Sequence, residues 1–357
     1  MPLVAHNSLP TFDRLRSSGQ TVLSEHAARH QDIREQHIGL LNMMPDAALE
    51  ATERQFLRLI GESNPIAQFY VHLFTLPELE RGEQAAAHIE KYYESFDGIQ
   101  AEGLDALIIT GANVTGPELS SQPFWEPLIK IVDWAENNVT STLCSCLATH
   151  AVLEFRYGQK RIPQPRKTWG VFPHHVVNNN HPIVNDINTR FDVPHSRWNK
   201  VTPEQFREAG LNVLVEGDVG VHLATSSDGI RFVFFQGHQE YDTVSLLKEY
   251  KRDLMLHARG KLDEAPPYPE NYLSHQANAI LDEFQLKLLK AAEQDSAFPE
   301  FPEQQIVSHL DNTWHDTAEA VVGNWIGCIY QITNKDRRKP FMDGINANDP
   351  LGIKHDK

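Results

Sequence analysis

Three side chains in this sequence have the types and spacing for nucleophilic chemistry: Cys146, His238 and Glu240. Cys146 stands where the β-branched run Val139-Thr-Ser-Thr-Leu143 gives way, through Cys144-Ser145, to the helical pattern from Leu147 to Phe155. In open α/β sheets ligands sit beyond the carboxyl ends of the strands, and the positive N-terminus of a following helix favours a thiolate. A cysteine taken singly is most often a small buried hydrophobe. That is the reading given to Cys144, inside the apolar strand, and to Cys328, inside an apolar helix. His238 and Glu240 lie in Gly237-His-Gln-Glu-Tyr241, directly after the apolar strand Arg231-Phe-Val-Phe-Phe235. Residues two apart in an extended segment project to one side, so Glu240 can lie beside His238, fix its tautomer and stabilise its imidazolium. Most of the 18 histidines must be structural, but few follow an apolar strand and a glycine with a carboxylate two positions on. A cysteine at one strand end and His-x-Glu at another can meet across a crevice as nucleophile, base and orienting acid.

The elements that must position them alternate. A strand at Ile38–Leu41 turns at Asn42-Met-Met-Pro45 into a helix capped by Asp46, with Leu49, Phe56, Leu57 and Ile60 on its apolar side. Strands follow at 66–74, 106–110 and 139–143, with helices at 82–94, 127–137 and 147–155 between and after them. Such alternation predicts an α/β fold: an open, mainly parallel sheet with helices on both faces. Strands at 211–216, 219–225 and 230–235, joined by Gly-Asp and Ser-Asp-Gly turns, predict antiparallel edge strands. Residues 1–36 are polar and without period, and are expected to form an N-terminal arm. The main domain then spans 37–335. It carries a helical insertion at about 260–305 with an apolar face at Leu273, Ala277, Ile280, Leu281, Phe284 and Leu288. A last helix at 317–330 closes the domain, and 336–357 reads as a loose polar tail.

Composition narrows the function classes. The chain has 357 residues, 41% of them hydrophobic, enough to bury a substantial core. A net charge of −16, spread along the chain, opposes binding to nucleic acid or an anionic membrane. Any anionic substrate then needs a locally basic site or backbone N–H donors. Three cysteines make no disulfide framework, and Cys144-Ser-Cys146 is neither a redox pair nor a zinc half-site. The N-terminus lacks the basic start and apolar core of a signal peptide, and no apolar run approaches the ~20 residues of a membrane span. The expectation is a cytoplasmic protein without a metal.

The chain order Cys…His…Glu resembles that of class I glutamine amidotransferases, although those enzymes flank the nucleophile with glycines and here the flanks are Ser145 and Leu147. A closer resemblance is to the homoserine O-acyltransferase family of methionine biosynthesis, a branch of the same fold. It rests on Asn42-Met-Met-Pro45 with Gln55-Phe-Leu-Arg-Leu59, on Ile109-Thr-Gly-Ala112, and on Val139-Thr-Ser-Thr-Leu143. It continues through Gly170-Val-Phe-Pro-His-His175, Pro194-His-Ser-Arg197, Gly237-His-Gln-Glu-Tyr-Asp242, and Asn324-Trp325 with Tyr330-Gln-Ile-Thr333. These segments cover about residues 36–335.

The resemblance implies roles. Cys146 would carry the acyl group as a thioester, His238 would act as general base and Glu240 would orient it. Lys167, Ser196 and Arg252 would bind substrate. Thr115 would stand at the position that discriminates acyl donors, where a small uncharged residue leaves room for succinyl and a glutamate would repel it. The resemblance further implies acyl-CoA as co-substrate with no permanently bound cofactor, and a homodimer. Acetyl-CoA as donor and serine as acceptor remain open, as does, more distantly, glutamine hydrolysis by the same triad. Family members often carry lysines after the Met-Pro turn, whereas Asp46-Ala-Ala-Leu-Glu50 follows here.

Overall fold

The computed structural model describes residues 3–18, 22–28, 35–64, 67–114, 116, 118–294 and 296–354. Along the first half run β1 (Leu3–Ala5), α1 (Pro10–Ser17), β2 (Val22–Ser24), α2 (Glu25–Ala28), β3 (Glu35–Leu41), α3 (Asp46–Ser63) and β4 (Gln68–Phe74). Then come α4 (Glu83–Tyr92), α5 (Phe96–Glu102), β5 (Ala106–Ile109), α6 (Trp125–Asn138), β6 (Ser141–Ser145) and α7 (Leu147–Tyr157). The second half holds β7 (Ile162–Val176), β8 (Arg190–Lys200), α8 (Pro203–Glu208), β9 (Asn212–Gly217), β10 (Gly220–Thr225) and β11 (Phe232–Phe235). It ends with α9 (Ser245–Ala258), α10 (His275–Glu293), α11 (Glu303–Val307) and α12 (His315–Ile332).

All strands among the described residues join one eleven-stranded sheet in the order β2-β1-β4-β3-β5-β6-β11-β10-β9-β7-β8. From β2 to β11 neighbouring strands run parallel; from β11 to β8 they run antiparallel. The α/β expectation with antiparallel edge strands therefore holds. The apolar run of β5 shows why both faces are covered. Ile108 enters a core with Ile38, Leu40, Phe56, Ile60 and Trp325, while Leu107 and Ile109 enter another with Phe74, Leu128, Val132 and Ala151. A strand buried on both faces reads as a continuous hydrophobic stretch.

Three segments differ from expectation. Residues 3–28 contain two strands that extend the parallel sheet, and Leu3, Leu9, Phe12 and Leu15 of this stretch are buried. Strands of three residues are too short to show a period. The long β7–β8 hairpin, bent by a register shift between Pro163 and Thr168, was not foreseen because prolines interrupt its pattern. The C-terminal stretch is pinned through residue 354: Thr140 donates to the carbonyl of Pro340, Met342 N–H donates to Ile332 O at 2.9 Å, and Phe341, Ile345 and Leu351 pack against the core. Residues 355–357 lie outside the described part.

The helices of the 260–305 region form a satellite core with α9, in which Leu247, Tyr250, Leu281, Phe284 and Leu288 pack with Trp169 and Trp314. Among the described residues no helix is long and apolar enough to cross a membrane. Trp325 ties α12 to β6, the strand that leads to Cys146: it is fully buried, and its indole N–H donates to Ser141 Oγ at 2.8 Å. Trp325→Ala should cost about 3–5 kcal/mol through the cavity it leaves. Urea unfolding monitored by far-UV circular dichroism measures this, and a loss under about 1 kcal/mol would mean that α12 repacks.

Candidate active site

Cys146 sits on an elbow between β6 and α7, with φ 52° and ψ −107°. A non-glycine residue held there is strained, and such strain persists only where neighbouring contacts over-determine it. Cys146 N–H donates to Phe235 O of β11 at 2.8 Å, and His150 N–H donates back to Cys146 O at 3.3 Å. The Thr149 hydroxyl, one turn into α7, lies 2.7 Å from Cys144 O and 2.9 Å from Phe235 O. Together these clamp the elbow to both strands. On the facing side, a Cβ added to Gly111 would lie 3.5 Å from Cys146 Cβ and 3.9 Å from Leu147 N, so the turn after β5 closes against the thiol. Leu147 N–H heads α7 and, as a first-turn donor, lies free of the helix ladder. Cys144 is sealed in the core beneath α7 with Ala148 and Ala151, where burial pushes its thiol far up, and burial raises Cys328 to about 11. Cys146 is the most accessible of the three.

His238 enters from the end of β11, anchored by its N–H to Pro194 O at 2.8 Å. Gly237 before it must be glycine, since a Cβ would fall 2.4 Å from Val193 Cγ1 and 2.9 Å from the His195 ring. His238 Nδ1 donates to Glu240 Oε1 at 2.7 Å, as the two-residue spacing predicted, which leaves Nε2 for the Cys146 thiol. Burial opposes charge on this imidazole, but Glu240 and Cys146 outweigh it and hold its pKa well above the ordinary histidine value. An imidazolium fixed beside sulfur is the counter-charge a thiolate nucleophile needs. The ring stacks on Tyr241 with centroids 4.3 Å apart, and Trp314 Nε1 donates to Tyr241 O at 3.0 Å. Asp242, the next residue, is paired with Arg54 and Arg58 of α3. The triad loop is thus held from three sides.

Two of the expected substrate-binding residues meet at a carboxylate that sequence reasoning did not single out. Glu249 of α9 accepts from Lys167 Nζ at 3.0 Å, Ser196 Oγ at 2.6 Å and Tyr241 OH at 2.8 Å. Burial alone would raise its pKa; Lys167, Ser196 and Tyr241 outweigh burial and lower it, so the carboxylate stays charged. Lys167 also lies over the Trp169 ring, 4.3 Å from its centroid. Arg252, on α9 just beyond Glu249, is exposed and bonds Asp253 at 2.7 Å rather than joining this group. Thr115 lies outside the described residues.

A cleft of about 70 Å³ opens on Cys146, bounded by Ala112, Asn113, Leu147, Arg161, Ser196 and Trp198. Arg161 and the buried Arg197 both line this cleft, and their two guanidinium groups make it locally basic in an acidic protein. Arg197 stands in the quoted Pro-His-Ser-Arg segment; Arg161 carries no sequence signal.

A charged relay ending on a thiol, set at the carboxyl edge of a parallel sheet, suits acyl transfer and has no evident use in a binding module. The chain falls among the acyltransferases. More particularly, it belongs to the homoserine O-succinyltransferase family, whose family model matches residues 2–335. Homoserine O-succinyltransferase of Allochromatium vinosum is 65% identical over 99% of this chain and 99% of its own length. Those of Thiobacillus denitrificans and Methylococcus capsulatus are 63% and 58% identical, again over 99% of this chain and all of their own length. Among solved structures, a glutamine amidotransferase from Methylobacillus flagellatus matches 83% of this chain and 95% of its own, with 12% identity and a TM-score of 0.44.

Proposed function

We propose that this chain transfers the succinyl group of succinyl-CoA to the hydroxyl of L-homoserine, in methionine biosynthesis, by a ping-pong route through a thioester on Cys146. The observation that carries the mechanism is the Glu240–His238 hydrogen bond, with the imidazole electrostatically coupled to Cys146. The Cys146 thiolate attacks the thioester carbonyl, and Leu147 N–H with an N–H of the Gly111–Asn113 turn receives the oxyanion. Coenzyme A departs with the proton of His238, leaving the acyl group on sulfur. His238, now neutral, removes the proton of the homoserine hydroxyl as its oxygen attacks the acyl-enzyme, and Cys146 leaves again as thiolate beside the imidazolium.

Recognition of homoserine needs both signs of charge. Arg252 and Lys167 suit the α-carboxylate, Ser196 adds a hydrogen bond, and Glu249 is the counter-charge for the α-ammonium. Arg161 and Arg197 suit the anionic donor, and a residue as small and uncharged as Thr115 suits a succinyl rather than an acetyl donor. Acyl transfer needs no permanently bound cofactor here, and the chain works as a cytoplasmic homodimer.

Intact-protein mass spectrometry after mixing with succinyl-CoA, without acceptor, tests the proposal. The expected spectrum gains one succinyl group, which homoserine discharges and serine leaves in place. A chain that releases coenzyme A only when homoserine is present, and never gains mass, would replace the thioester with direct transfer. A larger gain with acetyl-CoA would reassign the donor.

A further inference from the structure

Where β1 meets β4, away from the catalytic strands, two imidazoles and a carboxylate converge. His6 follows β1, His72 projects from β4 and Glu94 follows α4; one donor atom of each lies within 4.8 Å of the others. Glu94 Oε1 is 2.9 Å from His72 Nδ1 and 3.8 Å from His6 Nε2. Behind them, His37 Nδ1 is 2.8 Å from His72 Nε2, and His37 Nε2 is 3.2 Å from Glu35 Oε1.

Three contacts (Glu35–His37, His37–His72 and His72–Glu94) run in series through two stacked rings, so His37 and Glu35 fix the plane of His72 and leave its Nδ1 facing the Glu94 carboxylate. His6 Nδ1 lies 3.2 Å from the Val4 carbonyl, which only accepts, so a hydrogen sits there and Nε2 is the nitrogen turned toward Glu94. Asn7 Nδ2, at 3.5 Å, is the other near neighbour of that nitrogen.

We propose that His6, His72 and Glu94 bind a divalent transition-metal cation, zinc above others, with His37 and Glu35 as the outer partners that orient His72. Two imidazoles and a carboxylate are a zinc donor set, and bonds of about 2.0–2.2 Å would draw atoms at the present spacings together. Solvent supplies the remaining position, since His6 and Glu94 are only partly covered, with side chains 14% and 36% exposed. The hydrogen bond from His72 to His37 matches the outer-sphere support that metal-bound histidines ordinarily have. Such an ion would bolt the N-terminal strand to β4 and take no part in acyl transfer.

The test uses the full chain carrying Cys146→Ser, so that the catalytic thiol does not compete, stripped with a chelator and titrated calorimetrically with zinc sulfate. The expected result is one zinc per chain, a cobalt(II) spectrum of nitrogen–oxygen type, and a rise in thermal midpoint with zinc. His6→Ala and Glu94→Gln, whose sites lie outside the strands, should each weaken binding by more than about tenfold, and His37→Gln by about 10–100-fold. His315→Ala removes the ring of the Glu62–His315–Glu319 cluster and should leave zinc affinity unchanged. Absence of stoichiometric zinc in the folded parent would overturn the proposal. So would unaltered affinity in both His6→Ala and Glu94→Gln.

Discussion

Cys146→Ser is expected to lower the rate of succinyl transfer on the order of 10³-fold or more while leaving the fold intact. Serine keeps the shape, so the elbow at φ 52° and its bonds to Phe235 and His150 survive. What changes is the nucleophile. The raised imidazolium of His238 can hold a thiolate, but a hydroxyl does not ionise beside it. Steady-state kinetics with the two substrates, alongside circular dichroism, give the answer. Activity within tenfold of the parent in a folded variant would remove the thioester from the mechanism.

Glu240→Gln should cost about 10³–10⁴-fold in turnover, because glutamine can accept the Nδ1 hydrogen yet supplies no charge to the imidazolium. It also carries a pH signature. Glu240 raises the pKa of His238 against the opposing effect of burial, so its removal lowers that pKa and the alkaline limb of single-turnover acylation moves to lower pH. Stability follows the same sign. A histidine raised on folding contributes stability that is fully present below its unfolded value of about 6.5 and is lost as pH rises through the folded value. The gap in urea midpoint between parent and Glu240→Gln should therefore be widest below about pH 6.5 and narrow toward alkaline pH. A gap of equal width at every pH would show that Glu240 acts by packing and hydrogen bonding alone.

How much of this was legible in the chain depended on distance along it. The His238–Glu240 pair is local, and the rule that residues two apart share a side was enough to foresee its bond. Cys146 could be placed because a β-branched strand and a helical pattern meet there. Glu249 was not legible: it lies on α9, a helix whose charged residues look like any solvated face, and its partners Lys167 and Ser196 arrive from two strands of a hairpin that was itself missed. Pro163, Pro165 and Pro173 in β7, and Pro194 in β8, read as breaks. They are tolerated because β8 is an edge strand and β7 is bent by its register shift. Gly237 could be named as unusual, but only the close approach of Val193 and His195 explains why nothing larger fits. The cluster at His6 and His72 was invisible for a related reason, since strands as short as β1 carry no pattern from which to place the residue after them.

The parallel pairing of β6 with β11, which ties Cys146 N–H to the carbonyl of Phe235, has a consequence for biosynthesis. A ribosome makes the cysteine early and its histidine much later, because β7 to β10 are translated in between. Until β11 slots in beside β6, the nascent chain has neither the backbone bond that helps set the elbow nor the imidazole that serves the sulfur. The thiol is therefore a dormant group for most of translation, and reactivity toward thioesters switches on with one late event of sheet closure rather than growing with chain length.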